Sequence, residues 1–327
     1  MKDRIGFDFT YYINNNFDQY LEVAAPAGSG LQNYYLNGGN IRNKGVEISV
    51  NATPVKTHLI EWNTTINYAL NQNKVISLTN EDLNVTANSF QLTGIGNLMY
   101  ASYLVVGGSW GDIYGKYFAR SASGAIIVDD DGKPQKGSDP NSVVDANLKF
   151  LGNPNPKYTL GWNNTINVKN VSLSFLFDGH FGGKVMSVTK GVLDAAGYSQ
   201  ASADARDAGG VFIDAEKADG SKFAGPIDPK TWYIGVGGQD GIGEYYMYDA
   251  TNVRLREASL GYRFTFKKNT FINSLQVSAI GRNLFFVTKK APFDPDVSMA
   301  TNNGLQGTET FGLPTARSIG FSIRAGF

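Results

Sequence analysis

The chain has 327 residues, 29 Lys+Arg against 29 Asp+Glu, and no cysteine. Balanced charge offers nucleic acid no basic surface, the lack of thiols excludes disulfides and thiolate metal centres, and a mean hydropathy of -0.22 without an apolar run of about 18 residues excludes a transmembrane helix. A membrane wall made of strands stays open, because only alternate residues of such a wall meet lipid.

The first residues, Met1-Lys2-Asp3-Arg4, show no apolar stretch or cleavage site of an export signal. Alternation starts at once, with Ile5, Phe7, Phe9 and Tyr11 set against Gly6, Asp8, Thr10 and Tyr12. A strand so close to the start predicts a piece of a longer protein whose signal peptide lies elsewhere. Ten alternating segments follow in all, near 4–12, 44–53, 58–71, 98–106, 111–119, 157–167, 171–182, 251–266, 274–287 and 314–327. In 58–71, Ile60, Trp62, Thr64, Ile66, Tyr68 and Leu70 form one set. In 157–167 the set is Tyr158, Leu160, Trp162, Asn164 and Ile166, and in 171–182 it is Val171, Leu173, Phe175 and Phe177. These sets are predicted to face lipid, with Ser, Asn, Thr and Gly between them facing a wet interior. The segment 98–106 is less regular. In 251–266 the apolar phase switches near Glu257-Ala258, which predicts a bulge. The chain closes on Ile319, Phe321, Ile323, Ala325 and Phe327 alternating with Gly320, Ser322, Arg324 and Gly326. Such a strand, ending on an aromatic residue, resembles the last strand of bacterial outer-membrane barrels.

The connections alternate in length. Those at 54–57, 107–110, 168–170 and 267–273 are short; those at 13–43, 72–97, 120–156, 183–250 and 288–313 are long and polar. Outer-membrane barrels pair short periplasmic turns with long external loops, so the fold class expected is an antiparallel transmembrane β-barrel portion. Trp110, in a short turn, is then expected as a periplasmic interface anchor.

Within the long loops, Trp232 and Tyr233 are the candidates for stacking on a sugar or on a lid, with packing as the alternative. Arg254 and Arg256 stand two apart on one strand and share a face. They would meet an anionic substrate or pair with a wall carboxylate such as Asp178. His58 and His180 are too far apart in sequence to suggest a dyad, and there is no Gly-x-Ser-x-Gly elbow, so no enzyme is expected.

Several strings are similar to those of SusC/RagA-type TonB-dependent receptors. Asn43-Lys44-Gly45-Val46-Glu47-Ile48 resembles their "NKGvEi" strand opening. Val106-Gly107-Gly108-Ser109-Trp110-Gly111-Asp112 is similar to a "vGxpigxfyGy" turn. Leu151-Gly152-Asn153-Pro154-Asn155-Pro156-Lys157 resembles "iGnpxPkf", and Asp178-Gly179-His180-Phe181-Gly182-Gly183 resembles "qGxxGg". Asp249-Ala250-Thr251-Asn252-Val253-Arg254-Leu255-Arg256, Gly281-Arg282-Asn283-Leu284-Phe285 with Asp294-Pro295-Asp296, and Leu313-Pro314-Thr315-Ala316-Arg317 resemble further family strings in the family's order. The resemblance covers essentially the whole chain. It implies that residues 1–327 are the last ten strands of a 22-stranded barrel in the outer membrane of a Gram-negative, Bacteroidetes-like cell, with plug and signal peptide lying outside this chain.

It also implies nutrient import of glycan or oligopeptide, a SusD-like surface lipoprotein as lid, and TonB acting through the missing N-terminal part. Rival readings are a binding barrel without transport and a small-barrel enzyme. No cofactor is implied beyond calcium in the loop near 130, where relatives resemble "DxNGDGxID". Here Asp129 and Asp131, with Asp139 downstream, are the only candidates, and Lys133-Pro134 departs from the pattern.

Overall fold

The computed structural model describes residues 4–24, 28, 30, 33–80, 85–266, 271–297, 299 and 304–327. Eight strands form one sheet in simple sequence order: β1 (Ile5–Ala24), β2 (Asn33–Lys56), β3 (Ile60–Ser77), β4 (Tyr158–Val168), β5 (Val171–Phe181), β6 (Asn252–Thr265), β7 (Ser274–Lys289) and β8 (Ser318–Gly326). Every neighbouring pair is antiparallel. The connections after β2, β4 and β6 are short and lie at one end. Those after β1, β3, β5 and β7 lie at the other, and the last three of these are long.

The register aligns the alternation of each strand with that of its neighbours. One rung runs Phe7, Val50, Ile66, Trp162, Phe177, Leu255, Phe285 across seven strands without a polar residue. The adjacent rung runs Gly6, Asn51, Thr65, Asn163, Leu176, Glu257, Arg282, Ser318. It is closed by side-chain bonds such as Thr65 Oγ1 donating to Asn51 at 2.8 Å and Arg282 donating to Glu257 at 2.8 Å. The apolar face is left open. Ile319, Phe321 and Ile323 are 76%, 81% and 71% exposed, and Phe7 is 66% exposed. Phe327 is also exposed, with its ring 5.1 Å from that of Phe271. A contiguous apolar face of this extent needs a non-aqueous neighbour.

Two polar residues interrupt that face, and both serve tryptophans. Trp62 Nε1 donates to Asn164 Oδ1 and Trp162 Nε1 donates to Thr64 Oγ1, each at 3.0 Å. Thr64 and Asn164 are themselves cross-strand partners. In hydrocarbon an indole N–H finds no acceptor, so this reciprocal pair lets both rings sit on the oily side. Trp162 also packs on Phe175 and Phe177, with ring centroids 5.8 Å apart in each case.

The bulge expected near Glu257-Ala258 is present. Leu176 pairs with Glu257 and Phe177 with Leu255, so Arg256 has no partner on β5. Two expected wall strands do not join the wall. Tyr100–Val105 and Asp112–Gly115 form a separate four-stranded sheet with Ser89–Ile95 and Lys149–Gly152. All of Tyr100–Val105 is buried, which fits a strand covered on both faces, for which a nearly continuous apolar run is the signature. Trp110 is likewise no anchor on the short-turn side. It packs on the Val75, Leu78 and Leu104 cluster, and its amide donates to Asn73 Oδ1 at 2.7 Å, at the long-loop end of β3. The 13–43 segment, expected as a loop, is mostly strand, with β1 continuing to Ala24 and β2 starting at Asn33.

The long loops hold their own core, which includes Tyr100, Ile113, Phe118, Met186, Trp232, Val236, Ile242 and Tyr246. They contribute helices α1 (Val188–Ala195), α2 (Gln200–Asp207) and α3 (Pro229–Val236). Each helix is N-capped by a side chain: Ser187, Ser199 and Asp228. No helix among the described residues is long and apolar enough to cross a membrane.

Facing assigns a different fate to neighbouring substitutions on β5. Phe175→Arg should impair assembly into bilayers far more than Ser174→Arg, since Arg at mid-membrane on a barrel's lipid face costs about 2–4 kcal/mol. The folded fraction recovered in phospholipid vesicles measures the difference, and equal yields would contradict the assigned faces.

Candidate functional site

The polar face of the wall meets the loop layer at the long-loop end. Between them lies a cleft of about 1640 Å³. Its walls include Tyr12, Asn16, Asn43, Asn71, Trp110 and Lys157. Carboxamides offer a donor and an acceptor on one side chain, and aromatic rings offer flat apolar area. Together they suit a ligand rich in hydroxyl or amide groups. These residues come from β1, β2, β3, the turn at Trp110 and the approach to β4, so no sequence spacing announces the cleft. The alternation that sends Asn43 and Asn71 inward is the only trace it leaves in the sequence.

Beside this cleft the expected arginines form a charge network. Arg254 is 2% exposed, with Nη2 2.6 Å from Asp294 Oδ1, Nη1 3.7 Å from Asp296 Oδ2, and its guanidinium 3.9 Å from the Phe286 ring centroid. Arg256 donates to Asp178 Oδ2 at 2.5 Å and 3.0 Å, to Asp296 Oδ2 at 2.9 Å and to Asn283 Oδ1 at 3.2 Å. His180 lies 3.7 Å from both Asp178 and Asp296. The pairing alternative therefore describes these arginines. Asp178 takes Arg256, while Arg254 is neutralised from the 290–317 segment. Arg254 is buried, and Arg256, with its side chain 29% exposed, is already paired with two carboxylates. Their effect is to fasten that segment to β5, β6 and β7. The unpaired bulge position lets Arg256 reach into the same network as Arg254.

Trp232 and Tyr233 also lie elsewhere than a binding role requires. They sit on α3 at 1% and 6% exposure. Trp232 stacks on Phe118 with centroids 6.0 Å apart, and Tyr233 donates its hydroxyl to the Ala201 carbonyl at 3.2 Å. They are core residues of the loop layer and present no face to a sugar or a lid. The acidic loop near 130 is occupied by its own backbone. Asp129 Oδ1 accepts from the amides of Asp131 at 3.1 Å and Lys133 at 2.8 Å, Asp130 pairs with Lys217 at 2.8 Å, and Asp139 Oδ1 accepts from the Asn141 amide. Among the described residues no three acidic or imidazole side chains converge as a metal site.

Other ties hold the loop layer in place. Glu309 accepts from Ser187 Oγ and Thr189 Oγ1, each at 2.6 Å. Asp240 bridges Lys116 and Lys136. Burial raises the Asp240 carboxyl, but the two lysines hold it below the ordinary carboxylate range. Asp249 follows the same pattern. Burial pulls it up, yet hydrogen bonds from Thr251 and the Lys290 ammonium bring it down to about 2.

No protein-family model matches the chain. Among curated proteins it is similar to TonB-dependent receptor P26 of Formosa agariphila, 27% identical over 99% of this chain and 33% of the relative. It is similar to TonB-dependent receptor P3 of the same organism, 24% identical over 95% of this chain and 31% of the relative. TonB-dependent receptor SusC of Bacteroides thetaiotaomicron is 22% identical over 91% of this chain and 28% of its own length. The chain thus spans about a third of these relatives. Among solved structures, the RagAB peptide importer in its open-open state matches with a TM-score of 0.69 at 17% identity, over 100% of this chain and 33% of that one. The resemblance to SusC/RagA-type TonB-dependent receptors therefore holds along essentially the whole chain, and the fold is similar to that of the matching third of the RagAB chain.

Two measurements probe the network and its neighbour. Arg256→Ala leaves Asp178 and Asp296 without their shared cation. It should destabilise the 290–317 attachment by about 1–3 kcal/mol, seen as faster proteolysis there, and Arg256→Lys should restore only part because the fork is lost. For Asp249 the folded value lies below the unfolded 3.8, so its stabilisation is complete above 3.8 and is lost as pH falls towards about 2. Hydrogen exchange at the Thr251 amide should accelerate across that window, and Asp249→Asn should flatten the dependence.

Proposed function

We propose that this chain is the C-terminal wall and external loop layer of an outer-membrane, TonB-dependent importer working with a SusD-like lipoprotein on glycan or oligopeptide. The single observation that carries this reading is the sheet with one continuous apolar face open and one polar face that meets the loop layer at the long-loop end. A soluble β-protein would bury the apolar side. Relatives named TonB-dependent receptors along 91–99% of the chain support the family context.

β1 and β8 each pair on one side only among the described residues. Open edges of this length invite pairing, and in the importer they would be taken by further strands of the same barrel. The plug and the contact with TonB would lie in the remaining two thirds or so of a protein with the relatives' length. The cleft, with its carboxamides and rings, would lie on the path of a polar, uncharged solute between lid and plug. Calcium in the loop near 130 stays a weaker part of the proposal, since Asp129 is already engaged by that loop's amides.

Uptake tests the reading. Cells in which the gene carrying this chain is disrupted should lose growth on one class of glycan or oligopeptide, and loss of TonB should give the same phenotype with no additive effect. The edge amides of β1 and β8 should be protected from hydrogen exchange in the assembled protein. Normal uptake of every such nutrient by the disrupted strain, with β8 amides exchanging freely, would sink the importer reading.

A further inference from the structure

On β1 the outward apolar residues run from Ile5 to Ile13. Eight steps at about 3.4 Å give about 27 Å along the strand, or about 21 Å across a membrane at a tilt near 40°, close to the ~25 Å apolar band of such walls. The next outward positions on the long-loop side change character abruptly. Ile13 pairs with Lys44, and Lys44 with Gln72; Asn15 pairs with Arg42, and Arg42 with Lys74. Arg42, Lys44, Gln72 and Lys74 are among the residues that border the cleft, while strand alternation places Arg42, Lys44 and Lys74 in the outward set of β2 and β3, opposite Asn43, Gly45 and Asn73. All three are exposed, and none forms an ion pair among the described residues. Arg42 makes one side-chain bond, from Nε to Asn15 Oδ1 at 2.9 Å.

Arg42 and Lys74 are direct cross-strand partners. Like charges in that position repel, and a wall strand gains nothing from the pair on its own. The arrangement becomes favourable with an anion between them. The anion must lie outside the wall and immediately above the hydrocarbon, the level at which lipid headgroup phosphates lie.

We propose that Arg42, Lys44 and Lys74 form a docking site for the phosphate groups of an anionic lipid in the leaflet on the long-loop side. The guanidinium of Arg42 offers paired donors that match phosphate oxygens, its Nε fixed by Asn15. Lys44 and Lys74 flank it as point charges, the first two rungs along β2 and the second directly opposite on β3. Tyr11, Ile13, Val46 and Leu70 below provide the apolar surface for the acyl chains. The site rests on the membrane-wall reading. It would fix the height of β1–β3 relative to the bilayer and hold one lipid against the wall next to the cleft.

The test uses the purified protein in phosphatidylcholine nanodiscs doped with diphosphorylated lipid A, with bound lipid counted by native mass spectrometry. The wild type should retain lipid A after phosphatidylcholine is stripped. The triple variant Arg42→Gln/Lys44→Gln/Lys74→Gln should bind it roughly tenfold or more weakly, given the loss of three cations at a charged surface. The control Lys133→Gln/Lys169→Gln/Lys222→Gln removes equal charge elsewhere and should behave as wild type. Equal retention by the two variants overturns the proposal, as does displacement of the lipid by inorganic phosphate at the same concentration. Insertion of the wild type into the nanodiscs, followed by circular dichroism, reports separately on the wall reading, so failure there is distinguishable from failure of the site.

Discussion

The constraint on which everything else rests is that a chain crossing hydrocarbon must satisfy its own backbone. The sheet does this through strand-to-strand ladders, which leaves side chains free to differ between faces at a period of two. That period then has to stay in phase across eight strands. A slip of one residue anywhere would move an entire strand's Phe and Ile set into the wet interior. The unbroken rung from Phe7 to Phe285 shows that the phase is kept. At β6, where the sequence phase changes, a bulge absorbs the extra residue and restores alignment.

The two faces follow opposite rules within one chain. On the outer face large apolar residues are exposed, and within the apolar band the indole N–H groups of Trp62 and Trp162 are matched to Asn164 and Thr64. On the inner side the loops pack like a water-soluble domain, with a core around Trp232, Tyr246 and Met186, capped helices and many carboxylate-to-hydroxyl or carboxylate-to-lysine ties. The Arg254, Arg256, Asp178, Asp294 and Asp296 network lies where the two systems join. Its position explains the buried charge. The network is anchored on wall strands and adds to the other ties of the 290–317 segment, such as those of Glu309 to Ser187 and Thr189. It is a fastening, and the cleft lined by carboxamides, rings and charged residues such as Glu47 and Lys157 is the surface open to a ligand.

How much of this the sequence carried depended on whether the physical cause was local. Period-two alternation is local, so eight of the ten expected segments are strands of the one sheet, and alternate residues such as Ile319, Phe321 and Ile323 share its exposed apolar face. The bulge was visible as a phase change. The segments 98–106 and 111–119 count among the alternating segments in the sequence yet form a separate sheet. The lesser regularity of 98–106 is the contrary signal, and it matches the burial of all of Tyr100–Val105. Connection parity survived that error because removing two consecutive strands leaves the order of short and long ends intact. For Trp232 and Tyr233 the sequence leaves stacking on a sugar or lid and packing as alternatives, and burial at 1% and 6% matches packing. The loop is long enough to enclose a core of its own, and burial inside it has no local signature beyond the Asp228-Pro229 helix start. The cleft and the arginine partners at Asp294 and Asp296 arise from chain segments brought together only by the sheet order.

This division bears on how the wall and the loops can vary. Outer-face residues are constrained by partition into hydrocarbon, a non-directional demand that Ile, Leu, Val and Phe meet about equally well. Inner-face residues at the long-loop end are constrained by specific partners, as Asn73 is by the Ser109 and Trp110 backbone and side-chain groups. Substitution among apolar types is therefore cheap outside, and change inside is costly unless both partners move together. The cleft residues Asn16, Asn43 and Asn71 lie between these regimes, since they are inward-facing yet hold no loop in place by a backbone bond. Substitution at those positions leaves in place both the apolar outer face and the ties that pack the loop layer.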